Sequence, residues 1–530
     1  MGLRRILRST LGSGLLRGMD HAETLSVLIH NILTSRGALY RIPQWARHIE
    51  PSALGLTNAQ LRRLNDDRLA RSLDTLASAR ARSVFFRLAL WVIKDFEIAC
   101  PRVHFDTTTV TFAGQYEASK AEPRITHGYN KDHRPDLKQL LFGLNVSSDG
   151  AVPLLHHVWS GNRTDDSVHI SNVDVLRELL GCEDFVYVAD SKLCTRPNLE
   201  HVEAYGGFFV TVLPRTRKED KTFRDALRKG VTVARWRKIL EKPPRRREED
   251  GPDVYASTAQ GPQRTEEGYR IVWIRSSQKV RQDAQSRQDR LRKAELDLQV
   301  LSGRLGRSTL RSPKAVRERV EKILERYKVG AYLSVAAKSY VEKERKYLRR
   351  GRPKPGDPMR TIRHRRIRLL WSRDKAALRA EARTDGIFPL VTNLVGTSKR
   401  EVLEIYKFQP YIEKRFSLTK SEFAIAPIFL KKPRRVAGLI HLYFVAIMCS
   451  ALIERQVRSA MKAKGIKALP ILPEGRMTTT PTTPRILENF DDVAWHEFQE
   501  GERTVAFPVQ LNSTQEQLLD LAGVPRERYA

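Results

Sequence analysis

The sequence is poor in cysteine. Only four of its 530 residues are cysteine, and none forms a C-x-x-C pair or stands at a zinc-ligand spacing from a histidine. This pattern argues against a disulfide scaffold and a structural zinc site. We therefore expect hydrophobic cores to stabilise the fold, and the apolar fraction of 41% is ample for them. A chain of this length predicts roughly two to four structural units.

Acidic residues are also scarce relative to basic ones. Lys and Arg number 94 against 61 for Asp and Glu, which gives a formal net charge of +33 at pH 7. Such a charge exceeds what solubility requires and opposes a compact state unless a polyanion offsets it. Nucleic acid is therefore the expected class of partner.

Long apolar runs are almost absent. The basic N-terminus, residues 1–19, has no continuous signal-peptide core because Arg5 and Arg8 interrupt it, so we expect no export. The run Val436 to Ile453 only reaches the lower length limit of a membrane span and contains Gly438. It predicts a buried core helix, with a membrane helix as the alternative, and we expect no membrane association.

The rest of the chain shows a helical, then a mixed, then a charge-rich pattern. Residues 20–100 predict short helices, with Thr57 and Asn65 as N-caps, and suit either a helix-turn-helix-like DNA reader or a helical packing domain. From Val103 the order predicted is β-β-β-α-β-α-β, which makes the fold class α/β with a mixed sheet. The predicted strands cover Val103 to Phe112, Leu140 to Val146, Ala151 to Trp159, Phe185 to Ala189 and Gly207 to Leu213.

A long charge-rich stretch follows Leu213. Apolar residues three and four apart predict a helical hairpin from about Leu291 to Tyr327. Residues 343–368 form a basic run, in which the segment 350–354 resembles the core of an AT-hook, although a basic linker is the more ordinary interpretation. A strand from Phe388 to Leu394 and a helix from about Pro410 to Glu422 come next.

Two aspartates have no local role. Asp106 lies within the first strand and Asp190 ends the fourth, at the carboxyl edge where α/β sheets place their sites. The turn explains Asp149, and a helix cap explains Asp165 or Asp166. A single aspartate at such a position is most often a turn or cap residue. Asp106 or Asp190 taken alone therefore does not indicate a catalytic site.

A third acid belongs to a longer motif. Glu413 and Lys420 share a helix face about 10 Å apart by helical rise, too far for an i, i+4 ion pair, although a solvated charged face is the alternative. The histidines match no ligand spacing, and we expect structural or DNA-contact roles for them; they are His127, His133, His156, His157 and His169.

Taken together, these residues resemble the DDE transposases of bacterial insertion sequences whose signature is Y-x2-R-x3-E-x6-K. Here the motif is Tyr406-x2-Gln409-x3-Glu413-x6-Lys420, after Asp106, Asp190 and a long insertion. Further similar stretches are His127 to Gln139, Gly161 to Asp165, Val188 to Ser191, and Asp385 to Phe388 leading to Thr392-Asn393. The resemblance covers about residues 25 to 455.

The resemblance implies a ribonuclease H-like core interrupted by an insertion. The implied division is a helical DNA-binding region at 1–100, the two parts of the catalytic core at 101–214 and 385–460, an insertion with the helical hairpin and basic run at 215–384, and a tail for dimerisation or interaction at 461–530. The implied protein is cytoplasmic, bacterial and nucleoid-associated.

It also implies the activity. The enzyme would bind the terminal inverted repeats of its element, cleave the DNA strands by metal-dependent hydrolysis and join the 3′ ends to target DNA, as a homodimer that bridges two ends. Asp106, Asp190 and Glu413 would bind two Mg²⁺ ions, with Mn²⁺ as a substitute, because hard ions prefer carboxylate oxygens. The implied DNA contacts are Tyr406, Gln409, Lys420, Lys131, Arg134 and Arg352.

Two features depart from the signature. Gln409 replaces an arginine and so lacks its permanent charge. Pro410 predicts that the helix begins there, with Glu413 in the first turn. Two alternatives remain: a ribonuclease H-like nuclease without strand transfer, and a decayed or domesticated transposase that only binds DNA, which the glutamine favours and the intact acids disfavour.

Overall fold

The computed structural model describes residues 2–12, 18–35, 37–78, 81–112, 114, 116, 123–131, 134–243, 251–306, 310, 312–348, 352, 358–418, 430, 432–500, 503–507 and 509–528. Its helices are α1 Leu3–Leu11, α2 His21–Thr34, α3 Ile42–Ala46, α4 Asn58–Leu61, α5 Asp66–Leu76, α6 Ala81–Asp95, α7 His169–Leu180, α8 Arg196–Ala204, α9 Lys218–Lys229, α10 Ser277–Gly303, α11 Pro313–Tyr327, α12 Lys375–Ala382, α13 Lys399–Tyr406, α14 Pro410–Ser417, α15 Pro433–Ala463, α16 Thr483–Glu488 and α17 Ser513–Ala522. Its strands are β1 Arg102–Phe112, β2 Lys138–Ser147, β3 Pro153–Ser160, β4 Val186–Val188, β5 Phe208–Val212, β6 Arg237–Lys242, β7 Asp253–Thr258, β8 Arg270–Ser276, β9 Leu333–Tyr347, β10 Met359–Arg373, β11 Ile387–Thr392, β12 His496–Glu500 and β13 Arg503–Phe507.

The chain folds as two compact units. The first contains Met1–Thr211, Thr392–Gly396 and Glu404–Ala530, and the second contains Val212–Val391 and Thr397–Leu403. The second unit is thus inserted into the sequence of the first.

The first unit contains a mixed sheet with the order β3-β2-β1-β4-β5. β1 is antiparallel to β2 and parallel to β4, β2 is antiparallel to β3, and β4 is parallel to β5. The predicted run of three antiparallel strands followed by α-β-α-β is confirmed. The parallel pairs arise because α7 and α8 return the chain to the same end of the sheet before β4 and β5.

The N-terminal helices and α15 share one hydrophobic core with the sheet of the first unit. Asn65 and Thr57 cap α5 and α4 through their side chains, as predicted. Helix α15 is long and apolar enough to cross a membrane, but 78% of its most apolar window is buried inside the protein. The prediction of a core helix is confirmed, because this apolar surface packs on the N-terminal helices and β3.

The second unit contains the predicted helical hairpin. α10 and α11 pack through Leu291, Leu298, Val316 and Val320, all buried in one cluster. In the same unit β6, β7 and β8 form an antiparallel meander. The strand expected near Phe388 is also present, as β11, in the order β11-β8-β7-β6.

The basic run is part of a long two-stranded hairpin that the sequence did not predict. β9 and β10 pair antiparallel over 15 residues each, from Leu333↔Arg373 to Tyr347↔Met359. We call this hairpin the β-arm. Only the base of the β-arm joins the cluster formed by α10 and α11, while most of its outer residues are exposed.

Candidate functional site

The strand register brings Asp106 and Asp190 side by side. β1 and β4 run parallel with His104 opposite Val188, so two residues further along each chain Asp106 and Asp190 lie at the same level. Neighbouring strands are about 4.8 Å apart. The two carboxylates therefore meet at the end of β4, as expected for the carboxyl edge of a sheet.

Glu413 is delivered to the same strand by α14. The helix begins at Pro410 and has Glu413 in its first turn, as predicted from the proline. The preceding Gln409 fixes this helix start to β1, because its Nε2 donates to the carbonyl of Phe105 at 2.7 Å. Its Oε1 lies 3.1 Å from Nδ1 of His104, which donates to it because an amide oxygen can only accept. Burial lowers the pKa of His104 to about 4, so the ring is neutral at pH 7.

The three acids act on one another. The pKa of Asp106 is raised to about 7, chiefly by burial and also by the charges of Asp190 and Glu413. Lys131 and the backbone N–H of Thr107 oppose this rise. Burial also raises the pKa of the Tyr406 hydroxyl, with contributions from Asp190, Asp106 and Glu413. The four predicted residues Asp106, Asp190, Tyr406 and Glu413 thus share one electrostatic environment.

Lys131 is held inside this environment. Its Nζ donates to the carbonyl and the hydroxyl of Thr107, both at 2.7 Å, and lies 3.3 Å from Asp165. It was predicted as a DNA contact, and that contact stays a prediction. In the structure, the Lys131 ammonium lowers the pKa of both Asp106 and Asp190.

The prediction that Asp165 or Asp166 caps a helix is wrong. The N-cap position of their 3₁₀ turn is Thr164, and no side-chain hydrogen bond caps that turn. The Asp165 carboxylate instead accepts a hydrogen bond from the Thr107 hydroxyl at 2.9 Å, and its charge raises the pKa of Asp190. The signal available in the sequence was its place in the stretch 161–165, which belongs to the resemblance.

The remaining predicted DNA contacts differ in their surroundings. Gln409 is buried with both amide atoms bonded inside the protein, which gives it a positioning role, and its DNA contact stays a prediction. Arg134 is exposed and forms two hydrogen bonds with Asp136 at 2.9 and 2.7 Å. Arg352 is exposed, whereas Lys420 lies outside the described residues.

His156 and His169 are core residues, His157 is half-buried and His127 is exposed, whereas His133 lies outside the described residues. Nε2 of His156 lies 2.6 Å from Nδ1 of His441 in the core, and His157 stacks on Trp159. Within the described part of the chain, no group of three or more His, Cys, Asp or Glu side chains is close enough to form a ready-made metal site.

The donor chemistry of the site nevertheless suits a hard divalent cation. All three acids offer carboxylate oxygens, the ligands that Mg²⁺ prefers. Part of the raised pKa of Asp106 comes from the charges of Asp190 and Glu413. A bound cation would reverse that repulsion and favour the ionised form.

A buried ion pair, missed in the sequence, supports the third acid. Arg415, two residues after Glu413, pairs with Glu454 of α15 at 2.8 Å and donates to the carbonyls of Ala151 and Gly150 at 3.0 and 2.9 Å. Both charged side chains are only 4% exposed. Nothing in the sequence distinguishes Arg415 from the other arginines, so only the packing reveals it.

Comparison with known proteins adds a partial match at the N-terminus. Residues 1–90 match the model of a domain of unknown function, DUF4277. No curated protein matches the chain. A solved structure of the piggyBac transposase synaptic complex with hairpin DNA aligns at 10% identity and a TM-score of 0.25, over 52% of this chain and 57% of that one. That TM-score is too low to establish a common fold, and the aligned part spans just over half the length of the piggyBac chain.

Proposed function

We propose that the first unit is a ribonuclease H-like catalytic core and that the chain is the transposase of a bacterial insertion sequence. The observation that carries this proposal is the grouping of Asp106, Asp190 and Glu413 around the Tyr406 hydroxyl. The second unit is inserted between Asp190 and Glu413, so local sequence cannot account for their proximity. The strand order β3-β2-β1-β4-β5 supports the fold assignment.

The proposed cofactor is Mg²⁺, as two ions held by Asp106, Asp190 and Glu413, with Mn²⁺ as a substitute. Such ions activate the attacking hydroxyl and stabilise the charge that develops on the phosphate. The acid set fits this role because it is grouped and partly buried. Among the described cations, Lys131 lowers the pKa of both Asp106 and Asp190, and Lys192 lowers that of Asp190.

The remaining side chains have roles that follow from their contacts. Tyr406 stays protonated at neutral pH because its pKa is raised, so it is a hydrogen-bond donor for a phosphate oxygen and not a base. Lys131, fixed by Thr107, offsets part of the negative charge that faces the DNA backbone. Gln409 positions Glu413 by fastening the start of α14 to β1.

The structural role of Gln409 bears on whether the protein is active. Its replacement of the signature arginine favoured a decayed transposase, but its two hydrogen bonds give the glutamine a purpose that does not require DNA. We therefore propose an active enzyme that binds its terminal inverted repeats as a homodimer, cleaves them and joins the 3′ ends to target DNA.

The test uses the full-length protein, Mg²⁺ and labelled DNA that carries the terminal repeats of its element. Asp106→Asn, Asp190→Asn and Glu413→Gln are each expected to lower cleavage by at least about 100-fold, because losing even an outer-shell partner of a metal ligand costs 10–100-fold. Repeat binding should stay within about twofold, since the basic surface is unchanged.

The matched control is Asp136→Asn, because Asp136 is an exposed acid paired with Arg134. It should cleave as the unaltered protein does. Cleavage near the normal level in any of the three variants would remove that residue from the site, and cleavage in chelator would contradict the metal requirement. Ends that are cut but never joined to a target plasmid would identify a nuclease instead.

A further inference from the structure

The two faces of the β-arm differ in charge. Cross-strand partners lie on the same face of a hairpin and alternate residues lie on opposite faces. Because Tyr347 pairs with Met359 and Val341 with Arg365, one face carries the odd-numbered residues of both strands and the other face carries the even-numbered ones. We call these the odd face and the even face.

The even face carries both described acids of the β-arm beside its own cations. Glu342 accepts a hydrogen bond from Arg366 at 2.8 Å. Glu344 lies 2.8 Å from the ring nitrogen of His364 and 3.1 Å from the ammonium of Lys346. Each acid of the β-arm is therefore already occupied on this face.

The outer odd face contains cations and no acid. Lys343 lies directly opposite Arg363, and Arg345 and Arg365 extend the same row, all four of them exposed. None of the four forms an ion pair with any residue that the structure describes, although like charges directly opposite one another destabilise a hairpin. A binding partner that supplies negative charge would remove this cost.

Exposed apolar side chains lie between these cations. Val341, Tyr347 and Met359 are on the odd face and are 55%, 40% and 49% exposed. At the base of the β-arm the same face is covered, since Leu333 and Leu369 are buried against α10 and α11 and Arg373 pairs with Glu295 of α10 at 2.6 Å. One face therefore anchors the β-arm at its base and presents the cations further out.

We propose that the outer odd face of the β-arm binds the backbone and groove of duplex DNA. A two-stranded ribbon fits the major groove of B-DNA, about 12 Å wide. Residues 338–347 span about 33 Å at the rise of a strand, close to one turn of the duplex. The four cations contact phosphates, and the apolar side chains contact the groove wall. This inference rests on the proposed function, because it assigns a DNA-binding surface to the proposed transposase.

Other partners fit less well. A second copy of this chain would bring another net charge of +33 to a basic surface. A lipid surface requires a broad apolar face beside the basic residues, and the outer odd face offers only three scattered apolar side chains. Duplex DNA satisfies the charge without that requirement.

The experiment compares two full-length variants with equal loss of charge. One replaces Lys343, Arg345, Arg363 and Arg365 of the odd face with Gln. The other replaces Lys338, Arg360, Arg366 and Arg368 of the even face with Gln, which removes the same residue types. Duplex binding is measured by fluorescence anisotropy in chelator over a range of salt, so that cleavage plays no part.

The odd-face variant is expected to bind at least about tenfold more weakly at physiological salt. Its slope of log affinity against log salt should fall by about 3 to 4, the value for four lost phosphate contacts. The even-face variant should change the slope by less than about one. Unfolding temperatures near that of the unaltered protein confirm that both variants are folded.

Equal losses in the two variants would overturn the proposal, because binding would then depend on total charge and not on the odd face. It would also be overturned if the odd-face variant lost self-association, or binding to phosphatidylserine vesicles, while its duplex binding stayed normal. Failure of the proposed function gives a different result from failure of this inference. In that case the protein cleaves no DNA with Mg²⁺, but its duplex binding still depends on the odd face.

Discussion

At the scale of single residues, the charge state of Asp106 is the feature most open to measurement. Its pKa of about 7 in the folded protein exceeds the ordinary value of 3.8, so the stability of the metal-free fold falls as the pH rises from 3.8 to about 7. Protonation also competes with a cation for the same oxygens. Mg²⁺ affinity should therefore rise with pH through about 7.

The corresponding variant is Asp106→Asn. We expect it to raise the unfolding temperature of the metal-free protein at pH 8 by a few degrees, since it removes a buried charge next to Asp190 and Glu413. We expect Mg²⁺ to stabilise the unaltered protein if the proposed metal site forms, and the variant should lose that stabilisation. Thermal unfolding with and without Mg²⁺, at pH 6 and pH 8, measures both effects. A variant that keeps the Mg²⁺ stabilisation would separate Asp106 from the metal site.

Arg415 supports a second prediction about a single residue. Arg415→Ala would leave Glu454 buried with one partner fewer and free the carbonyls of Ala151 and Gly150. Breaking a buried pair in this way costs about 3 to 5 kcal/mol. Chemical denaturation should show that loss, and Arg485→Ala, which breaks an exposed pair with Glu488, is the control and should cost under about 1 kcal/mol. A small effect of Arg415→Ala would show that water replaces the guanidinium.

At the scale of secondary structure elements, strands with a regular apolar pattern were predictable. Val103 to Phe112 and Leu140 to Val146 have that pattern, and both form strands at nearly the predicted bounds. The β-arm was not predictable in this way, because its outer residues alternate between two polar faces and bury nothing. Its strands pair through backbone hydrogen bonds, which impose no apolar pattern on the sequence.

Some residues of the candidate site could likewise be predicted from the sequence, whereas others could not. The acids were identifiable because the resemblance fixes their order along the chain, whereas the positions of Asp165 and Lys131 beside Thr107 depend on how a loop folds over the sheet. The role of Gln409 depends on a strand carbonyl more than 300 residues away in sequence, at Phe105. Contacts between residues so far apart in the chain produce no periodic pattern in the sequence.

At the scale of the whole molecule, buried histidines predict sensitivity to mild acid. Burial lowers the pKa of His104, His169 and His441 to about 4, and that of His156 well below its usual value of 6.5. The unfolded chain therefore binds more protons below pH 6.5, so their stabilising effect is complete above that pH and declines as the pH falls towards 4. Asp106 and Asp190 act in the opposite sense, because burial raises the pKa of both.

We expect the free energy of unfolding to fall by about 1 to 2 kcal/mol per buried histidine between pH 7 and pH 5. Denaturant titrations across this interval measure the slope. His169→Gln should make the slope shallower, because it removes one of the four groups, whereas replacing the exposed His127 should leave it unchanged. A flat profile would show that these rings ionise within the folded protein.

The insertion of the second unit into the first has a consequence for synthesis on the ribosome. The core of the first unit needs α15, which ends at Ala463, yet its N-terminal helices and strands emerge hundreds of residues earlier. The second unit is almost contiguous in sequence and can fold as soon as it emerges. The nascent chain must therefore keep the apolar faces of β2 and the N-terminal helices from aggregating until α15 is made. Dependence on chaperones during synthesis is the expected sign of this delay.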